Sequence, residues 1–365
     1  MRKTALITGI GGQDGAYLAR LLLKKGYRVV GLSRRTTADN LARITDLVGE
    51  PHERDAAVEI VRGDMTDAAS LLRILNDARP DEIYNLAGPS HPRTGFDTPE
   101  HTADAAALGV VRLLETVRLL RLDDARIYQA GSSEMFGDAP PPQSETTPFR
   151  PCSPSGAAKL YAYWLVRSYR DGYGMHASNG ILFNHESPLR SRDFATRRIT
   201  RAAARIAGGD REPLVLGDLD AERDWGHARD YVEGMWRMLQ QPEPDDYVLA
   251  TGRSATLREF CSAAFRAAGL LLAWEGEGVE EVGRDMTTGD VLVRVDRIYY
   301  RPTDIRRLRG DPTKAMSKLG WMPRTGYEEL AAEMTAHDLA DLKAFADDPQ
   351  ADDDRASRLR RGKIA

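Results

Sequence analysis

The sequence predicts a doubly wound α/β fold built on a parallel sheet, with a smaller α/β lobe attached. Three observations support this. Short apolar, β-branched runs alternate with helix-period segments through the first 200 residues, and a glycine-rich turn follows the first run. After about residue 185 the regular alternation gives way to helices mixed with short strands and loops. Parallel strands are covered by helices on both faces, so they appear as continuous apolar runs separated by helical crossovers.

The apolar runs define six candidate strands. They span residues 4–9, 28–33, 58–63, 82–88, 126–132 and 176–182. Amphipathic stretches lie between them, such as 16–26 and 107–120, and their period predicts helices. Strand–helix–strand units of this kind connect with a right-handed crossover.

The second half of the chain predicts further helices at 196–209, 230–241 and 256–269. We expect a first domain over residues 1–185, to which some later segments return. A smaller substrate-binding lobe is expected over 186–343, and residues 344–365 form a highly charged C-terminal tail.

Composition restricts the function classes. The chain has 365 residues, 42% of them hydrophobic and 29% charged, with a net charge of −4. This balance is typical of a soluble globular protein and gives no electrostatic reason to expect nucleic acid or a membrane as a partner. No signal-peptide pattern or long apolar window is present. The only two cysteines, Cys152 and Cys261, imply no disulfide framework, so we expect a cytoplasmic protein.

A glycine-rich turn at the end of the first strand predicts a dinucleotide site. Gly9, Gly12 and Gly15 are spaced G-x-x-G-x-x-G, directly before a helix. A tight turn of this kind lets the backbone approach a pyrophosphate at the helix N-terminus, as in Rossmann-type folds. Gln13 and Asp14 lie within the same turn and are candidate cofactor contacts.

The second strand ends at a pair of arginines, Arg34 and Arg35. An acid at this point would suit the ribose 2′-hydroxyl of NAD, whereas arginines suit a 2′-phosphate. The sequence therefore predicts NADP as the cofactor. Positions that follow the third and fourth strands supply further candidate cofactor contacts: Asp64, Met65, Leu86, Ala87 and Gly88.

The candidate catalytic residues follow the fifth strand. Ser132 and Glu134 stand at its carboxyl end, where an open α/β sheet keeps its site. Ser155 and Lys159 come next, four residues apart and therefore on one side of a helix. The segment resembles the active-site helix of a short-chain dehydrogenase, which carries Tyr-x-x-x-Lys, but here serine stands at the tyrosine position.

The chain resembles the GDP-mannose 4,6-dehydratase family, a group of extended short-chain dehydrogenases/reductases, over roughly residues 3–340. The most specific matching segments are TGIGGQDGAYLARLLL (8–23), GSSEMFG (131–137), GAAKLYAYW (156–164), FNHESP (183–188), LGDLDAERDWGHARDYVEGMW (216–236) and YRPTDIRRLRGDPTKA (300–315).

The resemblance implies a redox-neutral reaction. NADP would oxidise the C4 hydroxyl of the mannose, water would leave across C5 and C6, and hydride would return to C6. Ser132 would bind the substrate O4, and Glu134 would remove the C5 proton and assist departure of the C6 hydroxyl. Lys159 matches the family lysine that holds the nicotinamide ribose.

The resemblance also implies how the substrate is held. Asn184 would meet the sugar diphosphate, and His185 would lie near the nicotinamide. The remaining substrate-binding candidates are Ser90, His91, Glu186, Arg190, Arg198, Arg223, Arg301 and Asp304. Guanidinium groups suit bidentate contacts to the phosphates of a GDP-sugar. A homo-oligomer, dimer or tetramer, is expected, with the arginine loop after the second strand at a tetramer contact. No metal site is predicted.

The departures from the family pattern leave several interpretations open. Serine is a far weaker acid than tyrosine and much shorter, so Ser155 is a poor base. It could be an engineered replacement that traps substrate, or a feature of a divergent dehydratase acting on a related GDP-hexose or GDP-heptose. A GDP-sugar 4-epimerase and a non-catalytic GDP-sugar binding protein are further alternatives. The segment 88–93, which retains Ser90 and His91 of the family's sugar-side motif, also departs from it.

Overall fold

The structure is a computed structural model that describes residues 2–34, 41–48, 57–89, 91–300 and 305–347. Its strands in chain order are β1 (Thr4–Thr8), β2 (Arg28–Ser33), β3 (Val58–Arg62), β4 (Glu82–Asn85), β5 (Arg126–Ala130), β6 (Ala177–Leu182), β7 (Asn184–Glu186), β8 (Leu214–Leu216), β9 (Glu222–Arg223), β10 (Trp225–His227), β11 (Tyr247–Leu249), β12 (Ala255–Thr256), β13 (Leu272–Glu275), β14 (Val282–Asp285), β15 (Val291–Val295) and β16 (Arg307–Leu308). Its helices are α1 (Gln13–Lys24), α2 (Ala68–Ala78), α3 (Pro92–Asp97), α4 (Pro99–Ala103), α5 (Gly109–Leu119), α6 (Pro154–Tyr173), α7 (Ala195–Ala207), α8 (Ala228–Leu239), α9 (Leu257–Ala267), α10 (Thr313–Leu319) and α11 (Tyr327–Asp347).

The chain divides into two compact units. The first is composed of Met1–His185, Glu222–Ser254 and Ile305–Thr325. The second is composed of Glu186–Ala221, Ala255–Asp304 and Gly326–Ala365. The chain therefore passes between the units several times, and two later segments belong to the first unit.

The first unit is built on a seven-stranded sheet in the order β11-β6-β5-β4-β1-β2-β3. Every neighbouring pair in it is parallel, with β1 lying between β2 and β4. The strand order reverses direction at β1, which confirms the predicted doubly wound fold. Six of the strands match the predicted runs to within a few residues, and β11 was not predicted.

Both faces of this sheet are buried. On one face, side chains such as Leu6, Val30 and Ile127 pack in a single apolar cluster with Leu113 of α5 and Val166 of α6. Residues that alternate with them along the strands, including Ile7, Tyr84 and Tyr128, are fully buried as well. Burial on two sides explains why the strands appear in the sequence as continuous apolar runs.

The second unit contains a four-stranded sheet in the order β13-β14-β15-β8. The first two pairings are antiparallel, and the pairing of β15 with β8 is parallel. Helices α7, α9 and α11 pack on one another in the same unit. A buried ion pair joins Arg197 of α7 to Asp338 of α11.

Helix boundaries are set by local chemistry. The predicted helix at 107–120 forms as α5, preceded by a wider π turn over Asp104–Leu108. Helix α9 begins with a capping box, in which Thr256 and Glu259 exchange side chain to backbone hydrogen bonds. In the described ranges, every helix is too short or too polar to cross a membrane.

Candidate active site

The glycine turn joins β1 to α1 with little room for side chains. Gly9 adopts a φ of +70°, which favours glycine. A Cβ on Gly15 would lie 2.5 Å from the Ile10 Cα and 2.6 Å from the Gly9 carbonyl oxygen. Gly12 is the N-cap residue of α1 and leaves the helix start without a side-chain cap. A bare helix N-terminus behind a glycine turn fits the pyrophosphate of a dinucleotide.

A buried chain of hydrogen bonds aligns the strand ends beside this turn. The Thr8 hydroxyl donates to Asn85 Oδ1 at 2.6 Å, and Asn85 Nδ2 donates to Gln129 Oε1 at 2.7 Å. The same hydroxyl accepts the N–H groups of Leu86 and Ala87 at 3.1 and 3.0 Å. The loop after β4, where two cofactor contacts were predicted, is therefore held against β1. Nothing in the local sequence pattern indicates this network of hydrogen bonds.

Arginines surround the end of β2. Ser33 pairs with Arg62 across the β2–β3 register. Arg62 donates to the Ser33 hydroxyl at 3.3 Å and to the Arg34 carbonyl oxygen at 3.2 Å. Arg43 donates to a carbonyl oxygen of the glycine turn at 3.1 Å. Sequence reasoning selected Arg34 but missed Arg43 and Arg62, although the pairing of consecutive strands could have indicated Arg62.

Other predicted cofactor and sugar positions have local structural roles. The Asp64 carboxylate accepts both the N–H and the hydroxyl of Thr66 at 2.9 Å. Met65 is buried in the apolar cluster, Gly88 has a φ of +146°, and His91 is the N-cap residue of α3. Four predicted residues lie outside the described ranges: Arg35, Ser90, Arg301 and Asp304.

His185 lies against the first turn of α1. Its Nε2 is 2.8 Å from an oxygen of Asp14, and its Nδ1 is 2.7 Å from the Phe183 carbonyl oxygen. Its ring stacks on that of Tyr231, with centroids 4.6 Å apart. Gln13 Nε2 donates to the His185 carbonyl oxygen at 3.0 Å. Three residues predicted to lie near the cofactor therefore contact one another.

Glu134 lies on a short 3₁₀ turn that follows β5. The turn starts at Ser132, whose hydroxyl oxygen accepts the Glu134 N–H at 3.2 Å. The Ser153 hydroxyl, at the start of α6, donates to Glu134 Oε2 at 3.2 Å. The sequence predicted Ser132 and Glu134 as site residues but did not indicate Ser153.

Lys159 lies one turn further along α6. Its ammonium group donates to the Ala130 carbonyl oxygen, at the end of β5, at 2.7 Å. Burial lowers the pKa of Lys159 to about 8, although the nearby carboxylates of Asp14 and Glu134 raise it in part. The predicted acid and the predicted lysine are thus brought together at the carboxyl end of the sheet.

Ser155, which stands at the family's tyrosine position, packs against α3. A Cβ on Gly95 of α3 would overlap Ser155 Oγ, so this hydroxyl packs directly on the glycine. The oxygen is buried and has no hydrogen-bond partner in the described part of the chain. Tyr161, two residues beyond Lys159 on α6, has 48% of its surface exposed.

The remaining predicted substrate residues make contacts inside their own units. In the second unit, Glu186 is buried, accepts a hydrogen bond from the Thr196 hydroxyl at 2.9 Å and forms an ion pair with Arg190 at 2.9 Å. Arg198 donates to the Val215 carbonyl oxygen at 2.6 Å.

In the first unit, Asn184 Oδ1 is buried without a hydrogen-bond partner among the described residues. Arg223 donates to the Glu222 and Arg306 carbonyl oxygens at 2.8 and 3.4 Å. Arg223 is therefore fixed by backbone oxygens on either side of the β9–β16 pairing.

Comparison with known proteins assigns the family. The family model for GDP-mannose 4,6 dehydratase matches residues 6–334. A GDP-mannose 4,6-dehydratase of Sinorhizobium fredii is 55% identical over 344 residues, covering 94% of this chain and 98% of the relative. GDP-mannose 4,6 dehydratase 2 of Caenorhabditis elegans is 51% identical over 354 residues, covering 96% of this chain and 92% of the relative.

A solved structure of similar fold is the dTDP-glucose 4,6-dehydratase of Bacillus anthracis in complex with NAD. It has a TM-score of 0.75 and 18% identity, and the match covers 96% of this chain and 98% of that one. The fold, the placement of Glu134 and Lys159, and half-identical relatives of matching length agree. The chain belongs to the GDP-mannose 4,6-dehydratase family.

Proposed function

We propose that the protein is an NADP-dependent 4,6-dehydratase that acts on GDP-mannose or a closely related GDP-sugar. The product would be a GDP-4-keto-6-deoxy sugar. The observation that supports this most is the grouping of Ser132, Glu134 and Lys159 at the carboxyl end of β5. A 4-epimerase would return hydride to C4 and would have no use for an acid such as Glu134 at the elimination centre.

The proposed cofactor rests on the turn and on the arginines. The glycine turn leaves no space for a Cβ at position 15 and keeps the start of α1 bare. Arg34 and Arg62 add positive charge at the end of β2, which favours a 2′-phosphate and hence NADP over NAD. When bound, NADP would accept hydride from C4 of the sugar and return it to C6.

The side chains of the site would accept and donate the protons of the reaction. Ser132 would hold the O4 oxygen, and Glu134 would take the C5 proton once C4 is a ketone. The same carboxyl group would then protonate the C6 hydroxyl, which departs as water. Proton transfer by a positioned side chain contributes about 10²–10⁴-fold to rate. Lys159 would bind the cofactor ribose and place positive charge near the reacting oxygen.

Oxidation at C4 is the step that Ser155 weakens. Its hydroxyl packs on Gly95, and a serine hydroxyl is a far weaker acid than the phenol of tyrosine, so it is a poor base for the C4 proton. We propose that water takes this proton slowly. The same observation also favours a second candidate function, a GDP-sugar binding protein without turnover.

A matched pair of variants separates these functions. With GDP-mannose and NADP, Ser155→Tyr is expected to raise the rate of product formation by about 10²–10⁴-fold, because a phenolate beside Lys159 is a competent base. Ser155→Ala is the control and should leave the slow native rate unchanged. Mass spectrometry of the sugar nucleotide measures the product.

Absence of product in both the native protein and Ser155→Tyr would refute the dehydratase proposal. Tight binding of GDP-mannose without any transient NADPH absorbance under single-turnover conditions would favour the binding protein. Product of unchanged mass with inverted C4 would indicate an epimerase.

The substrate's nucleotide end would be held by the predicted polar residues. Asn184 Oδ1 offers an unsatisfied acceptor, which suits a hydroxyl donor of the substrate. Arg190, Arg198 and Arg223 are candidates for the GDP phosphates. Ser90, His91, Glu186, Arg301 and Asp304 remain proposed contacts of the GDP-sugar.

We also propose a homo-oligomer. Two large aromatic side chains remain exposed on one face of α6, where Tyr161 and Trp164 lie three residues apart with 48% and 53% of their surface exposed. Large exposed side chains grouped on one helix face are typical of a contact with a second copy. Both cysteines are free thiols, which is consistent with the proposed cytoplasmic location.

A further inference from the structure

We propose that Ser153 is a positioning residue for Glu134, and that it couples the start of α6 to the orientation of the elimination acid. The inference rests on the proposed function, because it gives Ser153 a part in the elimination half of the reaction. Ser153 itself would exchange no proton with the substrate.

The hydrogen bonds at Ser153 direct its single proton toward Glu134. Its oxygen accepts the Gly156 N–H at 3.0 Å and so caps α6. A hydroxyl has one proton to donate, and the Glu134 Oε2 oxygen lies 3.2 Å away. The cap therefore fixes the Ser153 oxygen in space, and this oxygen in turn anchors one oxygen of the carboxylate.

The backbone packing makes this anchor rigid. A Cβ on Gly156 would lie 2.8 Å from the Glu134 carbonyl oxygen, so the first turn of α6 rests on the Glu134 backbone. Pro154 at the first helical position restricts the entry of the chain into α6. The 20-residue helix also directs the positive end of its dipole toward the carboxylate.

The position of the carboxylate matters because the same group acts at two places on the sugar. Glu134 would take the proton from C5 and deliver it to the C6 hydroxyl. An unrestrained glutamate side chain has several rotamers. Holding one oxygen limits this freedom before the substrate arrives, which lowers the entropic part of the barrier. Oxidation at C4 involves neither Ser153 nor Glu134, so it should not depend on the anchor.

The first test adds Ser153→Ala to the Ser155→Tyr variant, in which oxidation is no longer the slow step, and uses single-turnover reactions with NADP and GDP-mannose. The rise of NADPH absorbance reports oxidation, and its decay reports elimination followed by hydride return. We expect the decay to slow about tenfold, in line with the loss of a hydrogen bond to a charged group, while the rise stays unchanged. Deuterium at C5 should slow the decay further in this variant. Ser153→Thr keeps the hydroxyl and should restore the native decay.

A matched control removes a helix cap elsewhere in the same unit. Asp67 caps α2 by accepting the Ala69 and Ser70 N–H groups at 3.0 and 3.2 Å. Asp67→Ala should lower the melting temperature to a similar extent and leave the decay unchanged. Equal slowing of rise and decay in Ser153→Ala, or no restoration by Ser153→Thr, would overturn the inference. If Ser153→Ala does not fold, Ser153→Gly retains a good N-cap and lacks the hydroxyl.

A spectroscopic readout keeps this inference separate from the proposed function. Infrared difference spectra between the native protein and Glu134→Gln isolate the carboxylate band of Glu134, without substrate or cofactor. Loss of the Ser153 hydroxyl should shift that band, and Ser153→Thr should return it. A shift without any turnover would support the anchor and refute the dehydratase, whereas turnover with an unmoved band would do the reverse.

Discussion

The N-termini of α1 and α6 face similar tasks and are built in opposite ways. Both helices begin beyond the carboxyl end of a strand of the same parallel sheet. Helix α1 starts at Gly12, which has no side chain to cap it. Helix α6 starts at Ser153, whose side chain caps the helix and also donates to Glu134.

The difference shows how one backbone feature serves two purposes. The orphan N–H groups and dipole of a helix start attract negative charge. At α1 the end stays open, so the charge can come from a ligand such as a pyrophosphate. At α6 the end is closed, and the protein's own carboxylate lies beside it.

The largest effect is expected when the Glu134 carboxylate, beside the N-terminus of α6, is replaced by a neutral group. In the Ser155→Tyr background, where oxidation is fast, Glu134→Gln should lower product formation about a thousandfold, because the amide can neither take the C5 proton nor return it. The transient rise of NADPH absorbance should survive. Glu212→Gln, whose side chain is 84% exposed in the second unit, is the control and should behave as the native protein. Loss of the NADPH rise in Glu134→Gln would assign Glu134 to oxidation instead.

The next largest effect is expected when a side chain is placed in the glycine turn at the N-terminus of α1. Gly15→Ala places a methyl group 2.5 Å from the Ile10 Cα, so the turn must shift. NADP affinity measured by titration calorimetry should fall about a hundredfold. Gly172→Ala in α6 meets no atom within 4 Å and should keep full affinity with slightly higher stability. Native affinity in Gly15→Ala would show that the turn is not the cofactor site.

A smaller effect concerns the buried charge of Lys159 within α6. Its pKa is about 8 in the folded protein and 10.5 in an exposed lysine. The folded state therefore loses a proton that the unfolded chain keeps between these pH values, and native stability rises across that window. Lys159→Met should be about 3 kcal/mol more stable than the native protein at pH 7, and the difference should vanish by about pH 10.5. Denaturant unfolding across pH measures this, and a constant difference would contradict it.

Most of the first unit could be predicted because its signals are local. Buried parallel strands require apolar, β-branched runs, so β1 to β6 were found within a few residues. Strand β11 has only three residues, and its place at the sheet edge is fixed by the distant pairing of Val248 with Ile181. No local pattern records such a pairing.

The candidate site likewise contains some residues that the sequence indicates and others that it does not. Gly15, Glu134 and Lys159 were found because their chemistry is uncommon at those positions. Thr8, Arg62 and Ser153 are ordinary residue types, and their importance comes from which atoms the fold brings beside them. Strand register could have indicated Arg62, but the contact of Ser153 with Glu134 depends on the three-dimensional path between β5 and α6.

The contact of Gly95 with Ser155 links the mutational histories of two positions. A side chain at position 95 would meet the Ser155 hydroxyl, so residue 95 can gain bulk only if that hydroxyl rotates away or is lost. The order of changes therefore matters, because the constraint acts on position 95 and is set by the residue at 155. The serine and the glycine thus form an epistatic pair, in which loss of the hydroxyl at 155 would relax the constraint on 95.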